Sequence, residues 1–155
     1  MNPYIKNLNK IEFVVTMACT GKCRHCSEGD HDGFAEHIDD TVATEVVRKI
    51  CSCYDISTVM TFGGEPLLYP ETVCAIHKTA ASLGVTKRQV ITNGFFSKNS
   101  DRIKTVALRL ADSGVNALLL SVDAFHQETI SLETVMFFAE CAVDAGIRSN
   151  CSPLG

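Results

Sequence analysis

The chain has 155 residues, eight of them cysteine, a formal charge of −4 and a pI near 5.7, enough for one domain with a core burying roughly 70% of the unfolded surface. Its acidic balance gives no electrostatic footprint for nucleic acid, no apolar run approaches the ~18 residues of a membrane span, and the polar start, Met1 to Lys10, has no signal-peptide core. A soluble, cytoplasmic protein is expected, in which so many cysteines point to metal binding or catalysis rather than to disulfides.

The first strand runs over Ile11–Thr16, and Cys19-Thr-Gly-Lys-Cys23-Arg-His-Cys26 follows it. Three closely spaced thiolates can hold three corners of a cubane iron–sulfur cluster, which normally takes four cysteines. The fourth iron then keeps an open position, where a substrate binds. The polar stretch Ser27–Asp40, with Asp30, His31, Asp32 and His37, reads as a surface loop. After Asp40, Val42, Val46, Val47 and Ile50 line one helical face. The second strand, Thr58–Phe62, leads into Gly63-Gly64-Glu65-Pro66, and a helix from Pro70 carries Val73, Ile76, Ala80 and Leu83.

The third strand, Gln89–Thr92, ends in Thr92-Asn93-Gly94; Ile103, Val106, Ala107 and Leu110 stripe the next helix. The fourth, Ala117–Val122, ends in Ser121-Val122-Asp123, and Leu132, Val135, Met136, Ala139 and Val143 stripe the last helix before a final apolar strand, Ile147–Cys151. Gly84-Val85, Gly114-Val115 and Gly146-Ile147 recur at intervals of 30 and 32 residues, each a glycine C-cap followed by a β-branched residue that opens a strand. Outside the cysteine loop, Cys51, Cys53, Cys74, Cys141 and Cys151 are expected to be small core hydrophobes.

The order β-α-β-α-β-α-β-α-β predicts an α/β fold, with mostly unbroken apolar strands of a parallel sheet covered on both faces. An open Rossmann-type sheet and a barrel both satisfy it, although no G-x-G-x-x-G follows the first strand. In either, the C-terminal strand ends converge on one face. Gly63 and Gly64 let a backbone approach a ligand closely. Glu65 can pair with a ligand ammonium, and Thr92, Asn93, Ser121 and Asp123 can bond hydroxyl or carboxylate groups.

From Ile11 to the last residue, Cys19-x3-Cys23-x2-Cys26 followed by Gly63-Gly64-Glu65-Pro66 resembles the radical S-adenosylmethionine (radical SAM) superfamily. The resemblance implies a partial (βα)6 barrel of the TIM-barrel-like type, with a [4Fe–4S] cluster on Cys19, Cys23 and Cys26. S-adenosylmethionine would chelate the unique iron, with Gly63, Gly64 and Glu65 at its ammonium. Thr92, Asn93, Ser121 and Asp123 would meet its carboxylate or ribose, and His25 would run beside its adenine. Lys22 and Arg24 would offset cluster charge; His126 is read as structural. The implied reaction is reductive cleavage to a 5′-deoxyadenosyl radical that abstracts hydrogen from an unknown substrate, fed by a low-potential donor such as a ferredoxin or flavodoxin.

A full core of that family has six βα units, whereas residues 1–155 supply a single domain of about four units and a fifth strand. The expected barrel is therefore incomplete, with an apolar open edge at which self-association is expected. Two rival readings stand: a zinc-binding interaction module using the cysteines with His25 or His31, and a non-catalytic remnant of a radical SAM enzyme.

Overall fold

The computed structural model describes residues 7–23, 26, 29, 33–122 and 129–152, the last four as backbone only. Within them, strands β1 (Lys10–Thr16), β2 (Thr58–Gly63), β3 (Lys87–Thr92), β4 (Ala117–Ser121) and β5 (Arg148–Ser152) alternate with helices α1 (Asp40–Cys51), α2 (Pro70–Ser82), α3 (Ser100–Asp112) and α4 (Leu132–Asp144). A short 3-10 turn, Pro66–Leu68, precedes α2.

The sheet order is β1-β2-β3-β4-β5, every pair parallel. That order separates the two architectures the sequence left open. A doubly wound sheet reverses its strand order at a switch point; this one never turns back. Consecutive helices pack on one another, α1 on α2, α2 on α3 and α3 on α4, so all four cover the same face. The fold is an open, TIM-barrel-like α/β arc.

Local chemistry sets the element ends. Asp39 Oδ1 accepts from the Val42 N–H (2.9 Å) and Asn99 Oδ1 from the Arg102 N–H (3.0 Å), capping α1 and α3, each cap worth about 1 kcal/mol. The recurrent glycines all have positive φ. Behind each, the next residue reaches back five positions: Val85 N–H to Ala80 O, Val115 to Leu110 and Ile147 to Ala142, at 2.9 to 3.1 Å. This is the Schellman closure. It changes one expectation: Val85, Val115 and Ile147 do not open strands but are buried plugs beneath them.

The last strand is therefore Arg148–Ser152, Arg-Ser-Asn-Cys-Ser, a polar segment where an apolar one was expected. The apolar residue, Ile147, is spent in the core. An arginine on an edge strand also opposes strand-to-strand association.

Two apolar clusters form the core. Ile11, Phe13, Ala43, Val47, Val59, Ile76, Ala80 and Val85 pack β1 and β2 against α1 and α2. Leu67, Val73, Val90, Ile103, Leu110, Leu118, Leu120, Val135 and Phe138 join the later strands to α3 and α4.

Two helical faces differ from expectation. In α1 the buried positions are Ala43 and Val47, four residues apart on one face, while Val42 and Val46 are exposed. In α4 they are Val135, Phe138 and Ala142, while Leu132, Met136 and Val143 are exposed. Leu83 too is exposed, beyond the buried face of α2. Nor is β1 covered on both faces: it alternates, with Glu12 and Val14 exposed on the side away from the helices, whereas Val59, Met60 and Thr61 of β2 are all buried. Cys53 lies past the end of α1 and is exposed rather than in the core; Cys51, Cys74 and Cys141 are part-buried against it. Among the described residues no helix is long and apolar enough to cross a membrane.

Candidate functional site

The C-terminal ends of β1, β2 and β3 meet in one hydrogen-bonded assembly. After β1 the chain turns into the cysteine loop, where Ala18 O accepts from the Glu65 N–H at 2.7 Å and Thr16 O from the Gly64 N–H at 2.8 Å. This union needs glycine. A β-carbon at Gly64 would lie 2.2 Å from Ala18 O, and one at Gly63, where φ is +135°, 2.4 Å from Thr16 O. Both obstacles are backbone atoms, so neither position has room for a side chain.

Glu65 is fully buried. Its Oε1 accepts from the Leu67 N–H (2.9 Å) and the Thr92 hydroxyl (2.6 Å), and its Oε2 from the Asn93 N–H (2.8 Å). Burial pushes this carboxyl up to about 7, with the three donors pulling the other way. The side chain read from sequence as an ammonium partner is thus already bonded from within, and straps β2 to β3. Thr92 is committed likewise, its hydroxyl accepting from the Gly94 N–H at 2.9 Å.

Asn93 carries the strap to the cysteine loop. Its Nδ2 lies 3.1 Å from Thr20 Oγ1 and 3.7 Å from Cys19 Sγ. Gly21 adds a backbone N–H at 3.4 Å from the same sulfur. Burial raises the Cys19 thiol above its ordinary value, opposed by the Gly21 bond and supported by the charges of Glu65 and Cys26. Cys23 and Cys26 are joined by the Cys26 N–H to Cys23 O bond (3.3 Å), and all three cysteines are part-buried.

Among the described residues no three His, Cys, Asp or Glu side chains already converge on a metal position. The donor set still fits an iron–sulfur cluster: three thiols on one short loop, soft ligands that deprotonate as metal binds. The carboxylate nearest in the assembly, Glu65, has its oxygens turned into the protein.

Ser121 ends β4 on the same rim, half-buried. His25, Asp123, Arg24, His126, His31, Asp30 and Asp32 lie outside the described residues. His37 is engaged at a β1 bridge, its ring against Tyr69 at 4.2 Å and its Nδ1 at 2.9 Å from Ile38 O. Sequence reasoning missed four contributors. Thr20 receives Asn93. Thr129 accepts from the Lys22 N–H (3.3 Å), and Ile130 packs at Gly21, so the segment before α4 closes over the cysteine loop. Tyr69, whose hydroxyl donates to Ala35 O, pins the return of that loop. Nothing but a tertiary contact marks any of them.

Known proteins are similar to this chain. The GTP 3',8-cyclase of Aeromonas hydrophila subsp. hydrophila is 30% identical over 155 aligned positions, covering 90% of this chain and 43% of that protein. That of Moorella thermoacetica is 23% identical over 125, covering 79% and 37%. This chain spans less than half the length of these relatives. Among solved structures, native anSMEcpe with bound AdoMet superposes with a TM-score of 0.70 at 17% identity, over 92% of this chain and 42% of that one, a likeness of fold. The model of the Radical SAM superfamily matches residues 13–152, from β1 through β5. By that match the chain belongs to the radical SAM superfamily.

Proposed function

We propose that the chain binds a [4Fe–4S] cluster through Cys19, Cys23 and Cys26, with S-adenosylmethionine beside it on the rim formed by β2, β3 and β4. The observation that carries this reading is the convergence of the cysteine loop, Gly63-Gly64 and Thr92-Asn93 in one bonded assembly. When bound and reduced, such a cluster supplies the electron that cleaves S-adenosylmethionine to methionine and a 5′-deoxyadenosyl radical, which takes hydrogen from a substrate.

The chain's own residues have distinct tasks. Gly63 and Gly64 offer backbone carbonyls to the ligand ammonium, since neither has a side chain in the way. Glu65 holds that strap in place, and a cation above it favours its carboxylate form. Thr92 and Asn93 have their side chains committed, so carboxylate and ribose contacts fall to Ser121 and Asp123, with His25 beside adenine. Thr129 and Ile130 cover the loop and limit water. A low-potential donor such as a ferredoxin or flavodoxin supplies the electron.

Anaerobic reconstitution followed by iron and labile-sulfide analysis tests the centre, and release of 5′-deoxyadenosine on reduction tests the reaction. Bound zinc without labile sulfide would overturn the reading in favour of a zinc module. A cluster that never cleaves S-adenosylmethionine would leave a non-catalytic scaffold.

A further inference from the structure

Asn93 is fixed before its terminal amide meets anything at the rim. Its backbone N–H is held by Glu65 Oε2 at 2.8 Å, and its Oδ1 accepts from the Phe95 N–H at 2.8 Å. An asparagine amide has one oxygen and one NH2 group. With the oxygen committed to an N–H donor, the NH2 must face the opposite side, which removes the usual ambiguity of amide orientation. On that side lie Thr20 Oγ1 at 3.1 Å and Cys19 Sγ at 3.7 Å. Asn93 is 6% exposed, so water competes little for either bond.

We propose that Asn93 is a positioning residue of the reaction centre, its carboxamide donating an N–H···S bond to Cys19 that orients this ligand and raises the reduction potential of the cluster. The inference rests on reading Cys19 as a cluster ligand. Reduction adds negative charge that the thiolate sulfurs share, so a donor aimed at sulfur stabilises the reduced state more than the oxidised one. The donation is rigid because Thr20 takes the second amide proton and Glu65 fixes the backbone. The path from the Glu65 carboxylate through Asn93 to the Cys19 sulfur thereby makes the β3 end a determinant of redox poise.

The test uses the whole chain, reconstituted anaerobically, with Asn93→Ala and Asn93→Asp. Iron and sulfide are measured first: a parent protein that takes up no cluster overturns the cysteine reading itself. With equal loading, a redox titration followed by electron paramagnetic resonance is expected to give more negative midpoints for both variants. The larger shift belongs to Asn93→Asp, which sets a carboxylate beside the sulfur. A midpoint in Asn93→Ala equal to the parent's overturns the proposal. If the variants lose their cluster, the parent decides, through pulsed measurements on the reduced cluster with 15N-labelled asparagine in normal and heavy water. A coupled asparagine nitrogen with an exchangeable proton supports the bond; the absence of both overturns it.

Discussion

His77 gives the sharpest test of the packing. It lies on α2, fully buried, with Nε2 at 3.0 Å from Thr61 Oγ1 on β2 and, among the described residues, no partner for Nδ1. Protonation would put a second N–H where nothing accepts it. Burial, assisted by the charge of Arg88, accordingly lowers this imidazole from 6.5 to about 3. Between those values the unfolded chain takes up a proton that the native chain refuses, so stability is full above about pH 6.5 and is lost as pH falls towards 3. At 1.36 kcal/mol per pH unit the loss is roughly 3 kcal/mol by pH 4.5 and at most roughly 5 kcal/mol by pH 3, a large share of the 5–15 kcal/mol typical of a domain.

The perturbation is Thr61→Val with His77→Leu, which removes both partners together and so strands neither. Near pH 7.5 the double variant is expected within about 1.5 kcal/mol of the parent. On acidification its urea midpoint should fall less. At pH 4.5 the two curves should have diverged by roughly 1.5 M, taking a urea slope of about 2 kcal/mol per molar. Other titrating groups are common to both proteins and cancel in the difference. Parallel profiles from pH 7.5 to 4.5, followed by circular dichroism, would refute the argument that His77 is held neutral.

Three further outcomes are expected. Cys19→Ala, Cys23→Ala and Cys26→Ala should each abolish a stable cluster while Cys51→Ala and Cys141→Ala retain it; normal iron and sulfide in Cys23→Ala would remove that residue from the centre. Gly64→Ala should destabilise far more than Gly84→Ala, because its β-carbon meets backbone at 2.2 Å whereas Gly84 faces open space and carries only its φ of +80°, a strain of about 1 to 2 kcal/mol; equal melting temperatures would contradict the close approach of the β1 and β2 loops. Glu65→Gln turns an NH2 towards a buried N–H in either amide orientation. It should cost roughly 1–3 kcal/mol of stability and weaken S-adenosylmethionine by about ten- to a hundredfold at unchanged cluster content, read by urea unfolding and calorimetry; an unchanged midpoint would count against the strap.

The chain order of the elements was legible because glycine caps and alternating periodicities punctuate the sequence at regular intervals. Which side of a helix faces the strands was less so. Helix α4 is apolar nearly all round, with Leu132, Val135, Met136, Phe137, Phe138, Ala139, Ala142 and Val143, and periodicity cannot choose among so many candidates. In α1 the buried face centres on Ala43 and Val47, while Val42 and Val46 draw the expected stripe round to the exposed side. The three cysteines and the glycine pair could be placed at strand ends from spacing alone. The inward turn of Glu65 and the reach of Asn93 to Cys19 could not, because each depends on partners 27 and 74 positions away.

The division of the core into two clusters bears on how the protein opens. One joins Ile11 and Phe13 of β1, Val59 of β2, α1 and the later turns of α2; the other takes Val15 at the end of β1, Leu67, the start of α2 and the later strands and helices. Within the second, the helical layer offers an exposed Arg109–Glu71 ion pair at 2.6 Å, worth little in water. Such a chain can behave as two cooperative units whose amides exchange with solvent at separate rates. Val15, Leu67 and Ile130, which flank the cysteine loop and the Gly63–Glu65 turn, all lie in the second cluster. A molecule lodged at that rim therefore tightens the second unit, slowing exchange there first, with a stabilisation that grows with ligand concentration.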